Sequence, residues 1–518
     1  MNDYDSYSPN RRHAILAAIG LAASLAPLIA CNKDTSQPPP PRPNIIFILV
    51  DTLRADRLGC YGYPDAQTPQ IDALASEGVL FERAVSPAPW TLPAMGSIFT
   101  GVYPSVHKAN DYSQGGGMLE TKVRVVDDDW DTLAERLQAA GYETAAFSAN
   151  PFIKESTGFA QGFDHFDSSF ANNATQGGTV TAAALKWLDA RPDKSKPLFL
   201  YLHYMDVHAP YIVPDDVLAE VVSKLANKSD MRPVQRIEAE NHQGFFTTSV
   251  AKYRGEPYDR LRSYADYYSA LYDGCIQSMD REIGSLKSAL TERNLWNGAY
   301  VILTADHGEA LGEHLVWTHG FTAHQDQVHV PLILRWPGTL QPKRVSPVVT
   351  TLDVGPTLLK QLDLPILQRA QGRPFVGAFE KSDFKDRVTY SEGVKRHEKM
   401  NEVAEPLGQL FNLANDPDEK TDVSADHPDE VKRLEHLLNL QIQKNEKLAQ
   451  GIVAKSAELD TGSIEDMIYL GGEGDDVTFE TRECALIVYP WKLLYSITPE
   501  TVAIQRKNAE SSADSKAP

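Results

Sequence analysis

Acidic and imidazole side chains follow two apolar segments of this sequence that have the pattern of buried strands. Asp51 comes directly after IIFILV, and Asp306 and His307 follow VILTA. Two carboxylates and one imidazole at the same edge of a sheet suit Mn²⁺ or Zn²⁺, and they suit an all-oxygen Ca²⁺ site less well. The sequence therefore predicts that Asp51, Asp306 and His307 bind a divalent cation, with Mn²⁺, Zn²⁺ and Ca²⁺ as the candidates.

A hydroxyl side chain, Thr91, lies in the segment SPAPWTLPAMGSIFTGVYP, which has the pattern of a loop followed by a short apolar helix. A bound metal lowers the pKa of a neighbouring hydroxyl, so Thr91 is predicted to be a nucleophile and a fourth metal ligand. Because Pro93 follows two residues later, Thr91 also fits the N-cap of that helix. The two interpretations are compatible, since the N-terminus of a helix attracts anions.

Five apolar segments predict the strands that must hold these side chains. They alternate with helices, among them one that begins at Thr68 and one with a capping box formed by Thr132 and Glu135. This pattern predicts an α/β fold with a largely parallel sheet, in which ligands bind beyond the carboxyl ends of the strands. The predicted strands are 45–50, 142–148, the first part of PLFLYLHYMDVHAPY, 301–304 and 330–335.

Three other polar residues near these strand ends receive structural interpretations. His203 alternates with the apolar side chains of its strand, which is typical of a packed histidine. Glu309 and Glu313 follow Asp306 closely, and they are predicted to cap a helix there or to lie in solvent along it.

The composition limits the classes of function. The chain has 518 residues, 42% of them hydrophobic, which is enough for one large domain and a smaller one. A net charge of −20 argues against a general nucleic-acid-binding protein, because phosphate contacts need clustered Lys and Arg. An acidic protein that binds an anionic substrate needs a metal or a local cationic cluster.

The N-terminus has the pattern of an export signal. Arg11 and Arg12 precede an apolar run over 14–30 that is short for a membrane span and ends before Cys31. This arrangement resembles a bacterial lipoprotein signal over 1–30, with a lipid on Cys31 and the Pro-rich spacer 31–43 after it. An uncleaved anchor helix is the alternative. We therefore expect a lipid-anchored protein of the cell envelope that faces the periplasm or the exterior.

Other parts of the chain give weaker signals. Cys60, Cys275 and Cys484 remain for the folded part and allow at most one disulfide. The charged segment 215–262 interrupts the alternation and predicts either a lid over the site or a plain insertion. After residue 381 the pattern predicts a charged helix, a strand or tight hairpin in CALIVYPWKLLYSI, and a disordered end.

Together, NIIFILVDTLRADRLGCYGY, HYMDVHAPY and TADHGEALGEHLVWTHG resemble the sulfatase family of the alkaline phosphatase superfamily over about residues 43–376. The resemblance implies an α/β/α sandwich over 44–380, with a smaller C-terminal subdomain over 381–518. It places Asp51, Asp306 and His307 at metal positions, and Thr52 where many members have a further aspartate. His208 matches a substrate-binding histidine, and His319 falls where many members of the family have an anion-binding lysine.

Thr91 falls at the family's nucleophile position, where sulfatases have a Cys or Ser that is oxidised to formylglycine. That residue begins a motif with Arg at its fifth position, whereas this chain has Met95. Threonine resembles the nucleophile of the superfamily's phosphodiesterases and phosphoethanolamine transferases instead. A formylglycine hydrate can expel sulfate with its second hydroxyl, but a threonine ester must be attacked by water or by an acceptor.

These observations predict a metal-dependent hydrolase of sulfate, phosphate or phosphonate esters with Thr91 as the nucleophile. His208 or His319 would act as the general acid or base. Two alternatives remain open. One is a phospho-group transferase that acts on envelope lipid or glycan, and the other is a degenerate family member that only binds.

Overall fold

The computed structural model describes residues 42–109, 122–226, 258–320, 322–380, 384–397, 408–453, 455–458 and 478–497. The predicted signal 1–30, nearly all of the predicted spacer 31–43, the end of the chain after residue 497 and the middle of the charged segment lie outside these residues. No helix in the described ranges combines the length and the hydropathy needed to cross a bilayer.

Strands and helices alternate along the chain, as predicted. The strands are β1 Ile45–Val50, β2 Val79–Val85, β3 Lys122–Arg124, β4 Glu143–Ser148, β5 His165–Asp167, β6 Leu198–Tyr204, β7 Tyr300–Thr304, β8 Ala310–Leu311, β9 Trp317–Thr318, β10 His329–Arg335, β11 Lys343–Val345, β12 Val349–Thr350, β13 Thr389–His397, β14 Gly408–Asn412, β15 Ser456–Glu458, β16 Thr478–Val488 and β17 Trp491–Ile497. The helices are α1 Pro69–Ser76, α2 Thr91–Thr100, α3 Pro104–His107, α4 Leu133–Ala139, α5 Gly177–Ala190, α6 Asp215–Ala226, α7 Tyr258–Glu292, α8 Gln325–Val328, α9 Val354–Gln361, α10 Gly377–Glu380 and α11 Pro428–Leu448.

The main sheet has nine strands in the order β11-β2-β10-β7-β1-β6-β4-β5, with β12 also paired to β2. Within this sheet only β10 runs antiparallel to its neighbours, β2 and β7. The prediction of a largely parallel α/β sheet is therefore confirmed. All residues of β1 and β6 are buried, as expected for strands covered on both faces.

Helices pack in two groups against this sheet. The 35-residue helix α7 packs on α1, α5 and α6, while α2 packs on α4 and α9. The predicted capping box is present, because Thr132 and Glu135 each bond to the backbone N–H of the other. The charged segment begins as α6 and leads to α7, and residues 227–257 between them are not described.

A smaller antiparallel sheet, in the order β13-β16-β17-β14, follows the main one in the sequence. Strands β16 and β17 form the predicted tight hairpin, and α11 is the predicted charged helix. A buried ion pair connects this sheet to the turn after β14, since Nζ of Lys492 lies 2.6 Å from Oε1 of Glu419. Cys60, Cys275 and Cys484 are not joined to one another by a disulfide.

Candidate active site

Five parallel strands, β1, β2, β4, β6 and β7, end at the same edge of the main sheet. A polar side chain follows each of them after a few residues, and all of these residues are buried. The parallel topology thus brings together residues that are far apart in the sequence. In sequence order these residues are Asp51, Thr91, Asn150, His208, and Asp306 with His307.

Asp51 and Asp306 each have one carboxylate oxygen bound by protein donors and one without a partner. Oδ2 of Asp51 lies 2.9 Å from Nε2 of His203 and accepts the side-chain N–H of Asn150 at 2.6 Å. Both carboxylates are completely buried, and Oδ1 of Asp51 and Oδ2 of Asp306 lack a hydrogen bond. A buried oxygen of this kind is costly unless a cation or proton satisfies it.

The other oxygen of Asp306 is held by the backbone. Oδ1 accepts the N–H of Thr52 at 3.2 Å and that of His307 at 2.9 Å. Thr52 has a left-handed backbone with φ of 57°, which is rare for a β-branched residue, and this conformation accompanies the contact of its N–H with Asp306. The hydroxyl of Thr52 donates to the carbonyl of Asp51 at 2.7 Å.

His307 completes a three-ligand arrangement. Its Nδ1 lies 2.9 Å from the carbonyl of Gly308, which can only accept, so Nδ1 carries the proton. The lone pair of Nε2 then faces Oδ2 of Asp306 at 3.4 Å and Oδ1 of Asp51 at 3.8 Å. Three buried acceptor atoms, two of them without partners, therefore converge on one point, which fits a divalent cation.

The two carboxylates differ in their electrostatics. Burial raises the pKa of Asp51, but the hydrogen bond with His203 and the nearby histidines outweigh it, so that the pKa lies below its usual range. Burial and the charge of Asp51 raise the pKa of Asp306 to about 6. The ligand atoms of the two carboxylates lie within 4.8 Å of each other, so their charges repel. A cation between them removes that repulsion.

Thr91 lies against this arrangement. It is the first residue of α2, and its Oγ1 is 3.4 Å from Oδ2 of Asp51 and 3.3 Å from Nε2 of His307. The N-cap position is held by Trp90, and no side chain caps the helix. The N-cap interpretation of Thr91 is therefore wrong, because its hydroxyl lies beside Asp51 and His307 and does not bond to the N–H groups of the first turn.

Two further histidines, His208 and His319, lie close to the predicted metal ligands. The rings of His319 and His307 are 4.5 Å apart between centroids, and those of His319 and His208 are 5.0 Å apart. Nδ1 of His319 lies 3.0 Å from Oε1 of Glu309, and Nδ1 of His208 lies 2.5 Å from the carbonyl of Ala209. Burial lowers the pKa of His208, in spite of nearby Asp51, and raises the pKa of Glu309 to about 7.

Sequence reasoning missed three residues of this site. His203 is packed, as predicted, but it also bonds to Asp51, and its strand alternation could not reveal that partner. Glu309 was expected on a helix, whereas the segment after Asp306 forms the β8–β9 hairpin, and Glu309 is completely buried beside His319. Asn150 carried no signal beyond its place after a predicted strand.

Two other groups of acidic and imidazole side chains fit a cation less well. The rings of His314 and His324 stack 3.8 Å apart with an 8° tilt, so their in-plane lone pairs cannot meet at one ion, and Glu419 beside them is paired with Lys492. The other group comprises three neighbouring acidic residues, two of which contact Nζ of Lys455: Asp127, Asp128 and Asp129.

Comparison with known proteins places this geometry in a family. A family model described as Sulfatase matches residues 43–364. The sulfatase YidJ of Escherichia coli is 25% identical over 62% of this chain and 68% of its own. A solved structure in complex with its substrate D-glucosamine-2-N,6-O-disulfate is 20% identical, with a TM-score of 0.61 over 78% of this chain and 98% of that one. The phosphonate monoester hydrolase of Agrobacterium radiobacter is also 20% identical, with a TM-score of 0.58 over 78% and 96%.

Proposed function

This chain belongs to the sulfatase family of ester hydrolases, and we propose that it cleaves phosphodiesters or phosphonate monoesters through Thr91. The observation that carries the proposal is the position of Oγ1 of Thr91, within 3.4 Å of both Asp51 and His307. A hydroxyl in contact with metal ligands is the arrangement that a threonine nucleophile needs near neutral pH.

Asp51, Asp306 and His307 are the residues that would hold the cation. Their unpartnered oxygens and the lone pair of His307 fit a divalent ion of the Mn²⁺ or Zn²⁺ type better than an all-oxygen Ca²⁺ site. A cation there would supply positive charge beside the substrate anion and lower the pKa of the Thr91 hydroxyl. The first turn of α2, which has no side-chain cap, adds N–H groups at the same place.

In the first half of the reaction a bond forms between Oγ1 of Thr91 and phosphorus, and the bond from phosphorus to the leaving oxygen breaks. His208 or His319 gives a proton to the leaving oxygen, and Thr91 loses its proton to solvent. In the second half water attacks phosphorus and the Oγ1–phosphorus bond breaks. One water proton returns to the histidine, and Oγ1 regains a proton from solvent, so the enzyme is restored.

Threonine favours phosphorus over sulphur as the reacting atom. A sulfate ester of Thr91 has no second hydroxyl to expel it, and Met95 stands where the formylglycine motif has Arg. A phosphothreonine can be resolved by the same histidine that protonated the leaving group. The pattern before Cys31 supports an envelope location, where exported phosphoesters would be the substrates.

The test compares substrates and variants. Full-length protein in mild detergent is assayed with Mn²⁺, Zn²⁺ or Ca²⁺ against bis(4-nitrophenyl) phosphate, 4-nitrophenyl phenylphosphonate and 4-nitrophenyl sulfate. We expect turnover of the phosphorus esters that falls by about 10³-fold or more in Thr91→Ala and survives in Thr91→Ser. Mass spectrometry of quenched turnover should find phosphate or phosphonate on Thr91.

Three results would contradict the proposal. Full activity in Thr91→Ala would remove Thr91 from the chemistry. Turnover of the sulfate alone would show that threonine performs the task of formylglycine. Product formation that requires added glycerol, with the group transferred to it, would identify a transferase instead.

A further inference from the structure

We propose that Asn150 is a second catalytic residue, whose side-chain N–H stabilises the negative charge that develops on Oγ1 of Thr91. This inference rests on the proposed nucleophilic role of Thr91. Asn150 follows β4 and is 1% exposed, and its side chain lies between Asp51 and Thr91.

The orientation of the Asn150 amide follows from its two ends. Its Oδ1 accepts the backbone N–H of Phe152 at 2.7 Å, and a backbone N–H can only donate. At the other end, Nδ2 lies 2.6 Å from a carboxylate oxygen of Asp51, which can only accept in its ionised form. If Oδ1 and Nδ2 were exchanged, Nδ2 would face the N–H of Phe152 and Oδ1 would face the carboxylate of Asp51. Neither pair could form a hydrogen bond, so only one orientation of the amide is possible.

Nδ2 has two hydrogens, and Asp51 takes one of them. The other is available to Oγ1 of Thr91 at 3.4 Å, where Sδ of Met205 at the same distance is a much weaker acceptor. Because Asn150 donates to Oγ1, the hydroxyl proton of Thr91 must point elsewhere. Oδ2 of Asp51 at 3.4 Å accepts it, because the lone pair of Nε2 of His307 would bind the cation.

The contact of 3.4 Å is long for a hydrogen bond to a neutral hydroxyl. Hydrogen bonds to charged oxygens are shorter and about twice as strong. The contact therefore strengthens as the proton leaves Oγ1, and a contact that is stronger in the transition state accelerates the reaction. No proton moves to or from Asn150, whose N–H bonds stay intact throughout.

Asn150→Ala and the similarly sized Asn150→Leu, neither of which has a side-chain N–H, test the inference with bis(4-nitrophenyl) phosphate. We expect kcat/KM to fall by roughly 10²-fold in both, as on removal of one oxyanion donor. The loss should lie in kcat while KM stays within about two-fold of wild type, because the contact strengthens only in the transition state, and a merely structural role would not cause that split. Metal content should stay at the level of wild type, and Asn297→Ala, at an exposed asparagine, should change nothing.

Other outcomes separate this inference from the proposed function. Activity within three-fold of wild type in Asn150→Ala, while Thr91→Ala is inactive, would overturn the role of Asn150 alone. Loss of bound metal in both Asn150 variants would also overturn it, because Asn150 would then act through Asp51. Full activity in Thr91→Ala would overturn the proposed function first.

Discussion

Nε2 of His307 lies 3.3 Å from Oγ1 of Thr91, although 216 positions separate the two residues in the sequence. The same nitrogen lies 3.4 Å from the unpartnered oxygen of Asp306. The atom that would bind the cation is thus also the atom that touches the nucleophile. Loss of the cation should therefore disturb activity and local structure together.

Removal of a metal ligand is expected to empty the site. Asp51→Asn and His307→Ala each weaken the ligand set, so bound metal after desalting should fall from about one ion per chain to less than a tenth of that. Elemental analysis by mass spectrometry measures it, with thermal unfolding in parallel. Because an ion that binds only the folded state stabilises it, added metal should raise the Tm of wild type and not of these variants.

The matched control for this prediction is Asp128→Asn, at an exposed carboxylate that Lys455 partly neutralises. It should keep the full metal content and the response of Tm to metal. If Asp128→Asn lost the metal and Asp51→Asn retained it, the binding site would be the group of Asp127, Asp128 and Asp129 instead.

Substitutions of His208 and His319 should differ in how strongly their effect on activity depends on the leaving group. A general acid matters most for a basic leaving group, so substitution of the acid should cost roughly 10²- to 10⁴-fold with a methyl or glyceryl ester and little with 4-nitrophenyl. The comparison of His208→Gln with His319→Gln on both substrates shows which histidine is the acid. His436→Gln, at an exposed histidine, is the control. Equal losses on both substrates in both variants would contradict a general-acid role for either.

Much of this site could be predicted because the signals are local. An apolar run such as that of β1 predicts a buried strand, and a carboxylate directly after it predicts a ligand at the sheet edge. The contacts of Asn150, His203 and Glu309 could not be predicted from the sequence, because only the order of the strands in the sheet brings their partners close. The direction of β10 and the hairpin after Asp306 likewise depend on tertiary pairing.

His107 holds the helix that carries Thr91, and it does so as a neutral ring. The backbone N–H of Ala109 donates to its Nδ1 at 3.0 Å, so Nε2 carries the proton and lies 3.2 Å from the carbonyl of Pro93. The ring packs closely on Gly96, where an added Cβ would lie 2.8 Å from it. Burial lowers the pKa of His107 to about 3, far below the value of 6.5 for a solvated histidine.

Because His107 is held neutral in the fold, we expect the folded protein to lose stability in mild acid. Between pH 6.5 and about 3 the unfolded chain binds a proton on His107 that the folded chain does not, so the free energy of unfolding falls as the pH falls. The contribution is about 1.4 kcal/mol per pH unit, or about 2 kcal/mol between pH 6.5 and pH 5. His107→Gln removes it, so the stability advantage of wild type over this variant in urea unfolding should shrink by that amount from pH 7.5 to pH 5. His436→Gln should track wild type, and an advantage that stays constant with pH would show that His107 is not held neutral in the fold.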